Sequence, residues 1–176
     1  MSSRRWPVRA APRATRATRR PTRRSRRPTS WPSSPVQRPE TKARARALQL
    51  LYAWDLSGRP SIETVVARMA LAYGPPLLRS ADAFDRGADL AAKAIAGLPE
   101  FDRRVADAAE HWRLERVGVV ERNILRLALA ELAEGETPPR VVIDEAVKLA
   151  HWFAGAKAPA FVNGVLDAVA RESGAL

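Results

Sequence analysis

Residues 117–132, VGVVERNILRLALAEL, constrain the fold more than any other stretch of the chain. At 100° per residue of an α-helix, Val117, Val120, Ile124, Leu125, Leu127, Ala128, Leu129 and Leu132 fill an apolar arc of about 200°. Arg122, Asn123 and Arg126 occupy the narrower polar remainder. A surface helix carries a narrower apolar stripe, so this one is expected at the centre of an all-helical bundle, packed on several sides. Two carboxylates, Glu121 and Glu131, project inside the apolar arc. Glu131 reads as a structural acid near the helix end, paired with an arginine. Glu121 has two readings: a first-turn acid favoured by the helix dipole, or a ligand contact at the bundle's edge.

The other helices follow from period and punctuation. In residues 41–56, Ala47, Leu50, Leu51 and Trp54 line one face of a helix. Arg44 sits on one flank of that face, continued by Leu48 and Tyr52, while Lys42 and Arg46 sit on the other. Gly58 and Pro60 end it, and Ser61 is a good N-cap for a helix over 62–73. After Gly74-Pro75-Pro76 an Ala-rich helix is predicted over 80–96, stopped by Gly97, with Pro99 in the first turn of another that runs to about Trp112. Gly135 closes the central helix, and Pro138-Pro139 makes a rigid link. The last two helices are predicted over 141–153 and 160–171, with Gly164 letting a neighbouring helix approach closely. No strand is convincing. The expected fold is all-α, a compact bundle of about seven helices.

Charge divides the chain in two. Twelve of the 30 basic residues are arginines within residues 1–39, a stretch with no lysine and no acid. The remaining 18 face all 19 acidic residues, so the net +11 belongs to the tail and residues 40–176 are nearly neutral. The tail also holds half of the 14 prolines and shows no apolar period, which predicts disorder over 1–39 ahead of a domain over 40–176. Three readings of it compete. It is translation read through from a mis-called start, with the true start near Val36; or a basic arm that binds phosphates without sequence preference; or a transit peptide, which its prolines disfavour. The first is preferred.

Chemistry is bounded by what is missing. Without cysteine there are no disulfides, thiolate zinc sites or Cys nucleophiles, and His111 and His151 lack metal-ligand spacing. No Gly-rich phosphate loop and no nucleophile with a nearby base is visible, so neither an enzyme, a cofactor nor a metal is expected. No run has transmembrane length and no signal-peptide core is present, which predicts a cytoplasmic protein with no membrane partner. The positive feature is the basic start of the first helix with a tyrosine along its side. Cations that hold phosphates and rings that stack on bases suit single-stranded RNA, although a solvated helix start with a half-buried tyrosine gives the same spacing.

Four segments in order, RARALQLLYAWDL at 44–56, ERNILRLALAEL at 121–132, PRVVIDEAVKLAHWF at 139–153 and FVNGVLD at 161–167, resemble the NusB transcription antitermination family. The resemblance covers about residue 40 to the C-terminus. It implies a non-enzymatic, all-helical RNA-binding factor. Such factors bind the boxA element of ribosomal RNA leaders with a small-subunit ribosomal protein that doubles as NusE, making RNA polymerase resistant to termination. Carried over by position, it gives Lys42, Arg44 and Arg46 as phosphate contacts and Tyr52, Glu121 and Phe161 as further RNA-binding positions. Phe161 had looked like core by its spacing, and is placed at the bundle's edge. The chain departs from the pattern at Asp144-Glu145, where the family commonly has Asn-Glu, and at Lys157-Ala158-Pro159, where it usually carries an acid and a Ser. A cation in that loop is expected to strengthen phosphate attraction and loosen sequence selectivity.

Two rival functions are weighed. The same domain fronts ribosomal RNA cytosine methyltransferases, but this chain has no room for a catalytic domain. From another class, a general RNA or nucleoid-binding protein would work through the Arg-rich tail. The oligomeric state is left open, a homodimer included.

Overall fold

The computed structural model describes residues 38–74, 81–109 and 117–176. The tail expectation falls outside these residues except at Arg38 and Pro39, and His111 and Trp112 fall outside as well. The described residues form seven helices: α1 Pro39–Leu56, α2 Ile62–Tyr73, α3 Ala81–Ala96, α4 Leu98–Ala108, α5 Val119–Glu134, α6 Pro139–Phe153 and α7 Ala158–Glu172. No strand occurs among the described residues.

Three of the seven begin earlier than the periodicity suggests, and each does so at a proline. Pro39 and Pro139 open α1 and α6, and Pro159 lies in the first turn of α7. Proline at the first helical position has no N–H to lose and its fixed φ is already helical, so it starts a helix as readily as it stops one. The caps otherwise follow the sequence. Ser61 Oγ accepts the Thr64 N–H at 3.3 Å, and Gly135 closes α5 at φ +71° in the left-handed region. The fourth helix stops at Ala108, short of Trp112.

α5 packs against α1, α3, α4, α6 and α7, which is the central placement its apolar arc demands. Ile124, Leu125, Leu127, Ala128, Leu129 and Ala130 are all buried. The polar remainder of α5 is not a solvent face, however. Asn123 and Arg126 are 0 % and 1 % exposed. The Arg126 guanidinium grips Asp102 of α4 through Nε and Nη2 at 2.7 and 2.6 Å. Its Nη1 also donates to Asp55 of α1 at 3.2 Å and to Asn123 Oδ1 at 2.9 Å. The strip that looks polar on a helical wheel is thus an internal ionic seam joining three helices.

The close helix approach lies at Gly87 of α3. A Cβ there would stand 2.8 Å from the Ala43 carbonyl oxygen and 2.8 Å from Arg46 Cβ on α1. Gly164, expected to play that part, is exposed with open space around it. Gly87→Ala should lower the stability by about 1–3 kcal/mol through overpacking, although alanine is the better helix former by about 1 kcal/mol. Urea titration checks this, and an unchanged midpoint contradicts it.

Candidate nucleic-acid interface

α1 is enclosed on three sides, and this decides which of its residues can meet a ligand. Thr41, Ala43, Arg44, Ala45, Ala47, Leu48, Leu50, Leu51 and Trp54 are buried. The stripe left partly open carries Lys42, Arg46 and Gln49, which fall within about 60° of one another around the helix. Arg46 Nη1 donates to Gln49 Oε1 at 2.8 Å, so the cation and the amide are held together.

Arg44 does not belong to this surface. Expected on an open flank, it is 8 % exposed and turned into the bundle. Its Nε donates to both oxygens of Glu131 at 2.8 and 3.0 Å, its Nη2 donates to Oε2 at 2.5 Å, and Nη1 lies 3.7 Å from Glu145. The arginine expected for Glu131 is therefore Arg44. Burial alone would lower the arginine's pKa, but the hydrogen bonds and charge of Glu131 outweigh it and hold it above its ordinary value. At 8 % exposure, and held bidentately by Glu131, this guanidinium is not presented on the open stripe of α1. The flank was misjudged because the helices that cover it, α5 and α6, are supplied by sequence about 90 residues further on.

Glu145 completes the Arg44 cluster. It accepts from Thr41 Oγ1 at 2.7 Å and from Lys148 Nζ at 2.7 Å. Burial pushes its carboxyl upward, but those two hydrogen bonds and the Arg44 charge outweigh it and leave the pKa below the usual carboxylate range. A depressed folded-state pKa gives stability that is present above the unfolded value, ~4.3 for Glu, and lost as pH falls through the folded value. The melting temperature should therefore drop as pH is lowered below about 4.5, and Glu145→Gln should flatten that part of the profile. A variant with the wild-type slope would show that Glu145 is not among the groups responsible.

Beyond the seam, Tyr52 is 42 % exposed. It borders a groove of about 430 Å³ between α1, α2, α5 and α6, lined also by Leu48, Gln49, Met69, Val120 and Phe153. Glu121 follows Val120 and is partly exposed, in the first turn of α5. Its carboxylate folds back over Gly118, so that a Cβ on that glycine would collide with Oε2. That posture suits an acid three residues into a helix, turned to the N-terminal end of the dipole. Glu121 is not among the residues that line the groove, although its neighbour Val120 is. Phe161 stands apart, half-buried in the first turn of α7 and packed against the core. Lys157, at the N-cap of α7, is exposed, whereas Ala158 and Pro159 are buried. Of the candidate residues, the structure places Tyr52 in the groove lining and ties Arg46 to it through Gln49, buries Arg44, and leaves Lys42, Glu121 and Phe161 outside the lining. Sequence reading missed Gln49 and Phe153. Phe153 shares the apolar side of its helix with Val142, Ala146 and Leu149, which hides it from a reading by period, yet it is 41 % exposed at the helix's end.

The NusB family model matches residues 41–171. The chain belongs to the NusB family. Among NusB relatives, it is similar to the transcription antitermination protein NusB of Solibacter usitatus (strain Ellin6076), at 44% identity over 74% of this chain and 88% of the relative. The NusB of Anaeromyxobacter dehalogenans (strain 2CP-1) is 39% identical over 74% of this chain and 89% of its own length. Among solved structures, NusB from Aquifex aeolicus superposes with a TM-score of 0.65 at 32% identity, covering 76% of this chain and 88% of that one. A chain in the crystal structure of antitermination factors NusB and NusE in complex with double-stranded RNA gives 0.64 at 30% identity, covering 77% and 98%. The all-helical NusB fold expected from the sequence is therefore the fold observed.

Proposed function

We propose that this chain is a transcription antitermination factor that binds boxA-like single-stranded RNA of ribosomal RNA leaders together with a NusE-type small-subunit ribosomal protein, and through that complex acts on RNA polymerase. The observation that carries the reading is the likeness, over 77% of this chain and 98% of the other, to a chain crystallised with NusE and double-stranded RNA. It is supported by the cationic stripe of α1, which leads into a groove bordered by an exposed ring. In this reading Lys42 and Arg46 hold phosphates, Tyr52 stacks on a base, and Glu121 accepts a hydrogen bond from a base edge. Phe161 is kept as an RNA contact on the first turn of α7, and exposed Lys157 adds phosphate attraction beside it. No described helix is long and apolar enough to cross a membrane. The role is one of binding, with no reaction to assign.

The test is a fluorescence titration of boxA-like RNA with and without the NusE-type protein. RNA affinity should rise when that protein is present and should survive deletion of residues 1–37. Loss of nearly all affinity on that deletion would favour the rival reading, a general RNA or nucleoid binder acting through its tail. Within the site, Arg46→Ala should reduce the salt slope by about 0.7 for one lost phosphate contact on a single strand. Tyr52→Ala should cost roughly 1–3 kcal/mol with little change in slope. Glu121→Gln should shift sequence preference more than overall affinity. Equal binding by wild type and Tyr52→Ala would place the site elsewhere.

A further inference from the structure

A second groove, of about 640 Å³, opens between α6 and α7, and none of the proposed RNA contacts lines it. Residues 154–157 join the two helices, which pack on each other and so run antiparallel. Arg140, at the start of α6, therefore lies at the same end of the pair as Arg171, at the end of α7. Asp144 and Asp167 line the groove one turn further along. The groove is cationic at one end and anionic beside it, over an apolar floor of buried Ile143 flanked by half-exposed Leu176.

These charges are only partly spent on each other. Arg171 Nη2 meets Asp167 at 2.9 Å along α7. Arg140 and Asp144 have the same spacing on α6 and both are exposed, yet neither has an ion-pair partner among the described residues. Gly164 marks the same face, since Asn163, Gly164, Asp167 and Arg171 fall within about 100° of one another around α7. A glycine inside a helix costs stability relative to alanine, and what it gives in return is room for a neighbour to come close. Within this chain no neighbour does: a Cβ on Gly164 would meet no atom within 4 Å. The approach it allows is from outside.

We infer that the α6–α7 face docks one helix of the RNA polymerase assembly, a helix that offers a carboxylate and, one turn on, a Lys or Arg. The carboxylate meets Arg140 and Arg171, the cation meets Asp144 and Asp167, and the helix backbone lies over Gly164. This rests on the antitermination reading and adds to it the face turned to the polymerase, separate from the cationic stripe of α1. A phosphate backbone would suit the two arginines but be repelled by the two aspartates beside them. A second copy would bring matching charges, but would set one groove against another, whereas a single helix is a ridge that fills a groove.

The test uses the full chain, purified RNA polymerase, the NusE-type protein and a template that encodes a boxA-like leader ahead of a terminator. Gly164→Leu fills the open space on α7, and the double exchange Arg140→Asp with Asp144→Arg reverses the α6 charges without changing their sum. Both variants should bind RNA and the NusE-type protein as wild type does, and Gly164→Leu should melt no lower than wild type. Both should nevertheless lose read-through of the terminator. A photoreactive phenylalanine analogue at position 164 gives way to the same block, so it is placed at the neighbouring Ala168, where it should cross-link to a polymerase subunit in the assembled complex. Read-through at the wild-type level in both variants overturns the inference. Loss of RNA or NusE-type protein binding would assign the face to those partners and overturn it as well. Sedimentation of wild type as a dimer that the variants break would assign it to a second copy, with the same result. If wild type gives no read-through at all, the antitermination reading fails and the docking face falls with it.

Discussion

Leu127→Asp abolishes the folded state. Leu127 is 2 % exposed in the middle of α5, the helix against which five others pack. The substitution places an unpaired carboxylate where neither water nor a cation can reach it, at a cost of several kcal/mol. Against a total stability of about 5–15 kcal/mol, and with lost packing added, that is enough to unfold a domain of this size. Far-UV circular dichroism should show a loss of helix at 25 °C with no cooperative thermal transition. A variant that still melts cooperatively near the wild-type temperature would mean that α5 is not the centre of the core.

Arg126→Leu should destabilise the domain by about 3–5 kcal/mol, although it replaces a charged residue in the core by an apolar one. Asp55, with 5 % of its side chain exposed, keeps Arg59 at 3.0 Å but loses its inner partner. Asp102 loses both hydrogen bonds that fix it to α5. The penalty arises from leaving Asp102 without its partner and Asp55 with only Arg59 and Arg122, rather than from the net worth of the ion pairs, which is small once the desolvation of all partners is counted. Changing Asp102 to leucine in the same chain should therefore restore part of the loss. Urea denaturation of the single and double variants measures it. A double variant less stable than Arg126→Leu by the full cost of Asp102→Leu alone would show that the two residues are not coupled.

Arg126 also marks where the sequence stops being legible. The period of α5, its glycine stop and its apolar arc could be read directly, because each depends on residues a few positions apart. Seven helices in the right order followed from the same local signals. Whether Arg126 or Arg44 faces water depends instead on which helix lies over it, and the covering carboxylates are 24, 71 and 87 residues away. A helical wheel assigns a polar residue to the outside by default, and it failed at both arginines. Tyr52 was read as a ring along the helix side and is exposed. Phe153 was hidden by its apolar identity. Gln49 gave no signal at all, because its role depends on a hydrogen bond to Arg46 that orients the amide. At the candidate site, charge and aromatic content were legible, and their orientation was not.

The polar partners of the start of α1 lie far along the chain, and this sets the order in which that end of the helix can be completed. Arg44 meets Glu131 across 87 residues and Thr41 meets Glu145 across 104. During synthesis at ~5–20 residues per second, α1 waits on the order of 5–20 s for the carboxylates that neutralise Arg44 and hold Thr41. Until then those two side chains lack their partners, although α2 and α3 can already pack against the helix. A chain that terminates before Glu145 leaves Thr41 and one side of Arg44 without their partners. The start of α1 is thus among the last parts of the bundle to be secured, and a premature stop announces itself far upstream of where it falls.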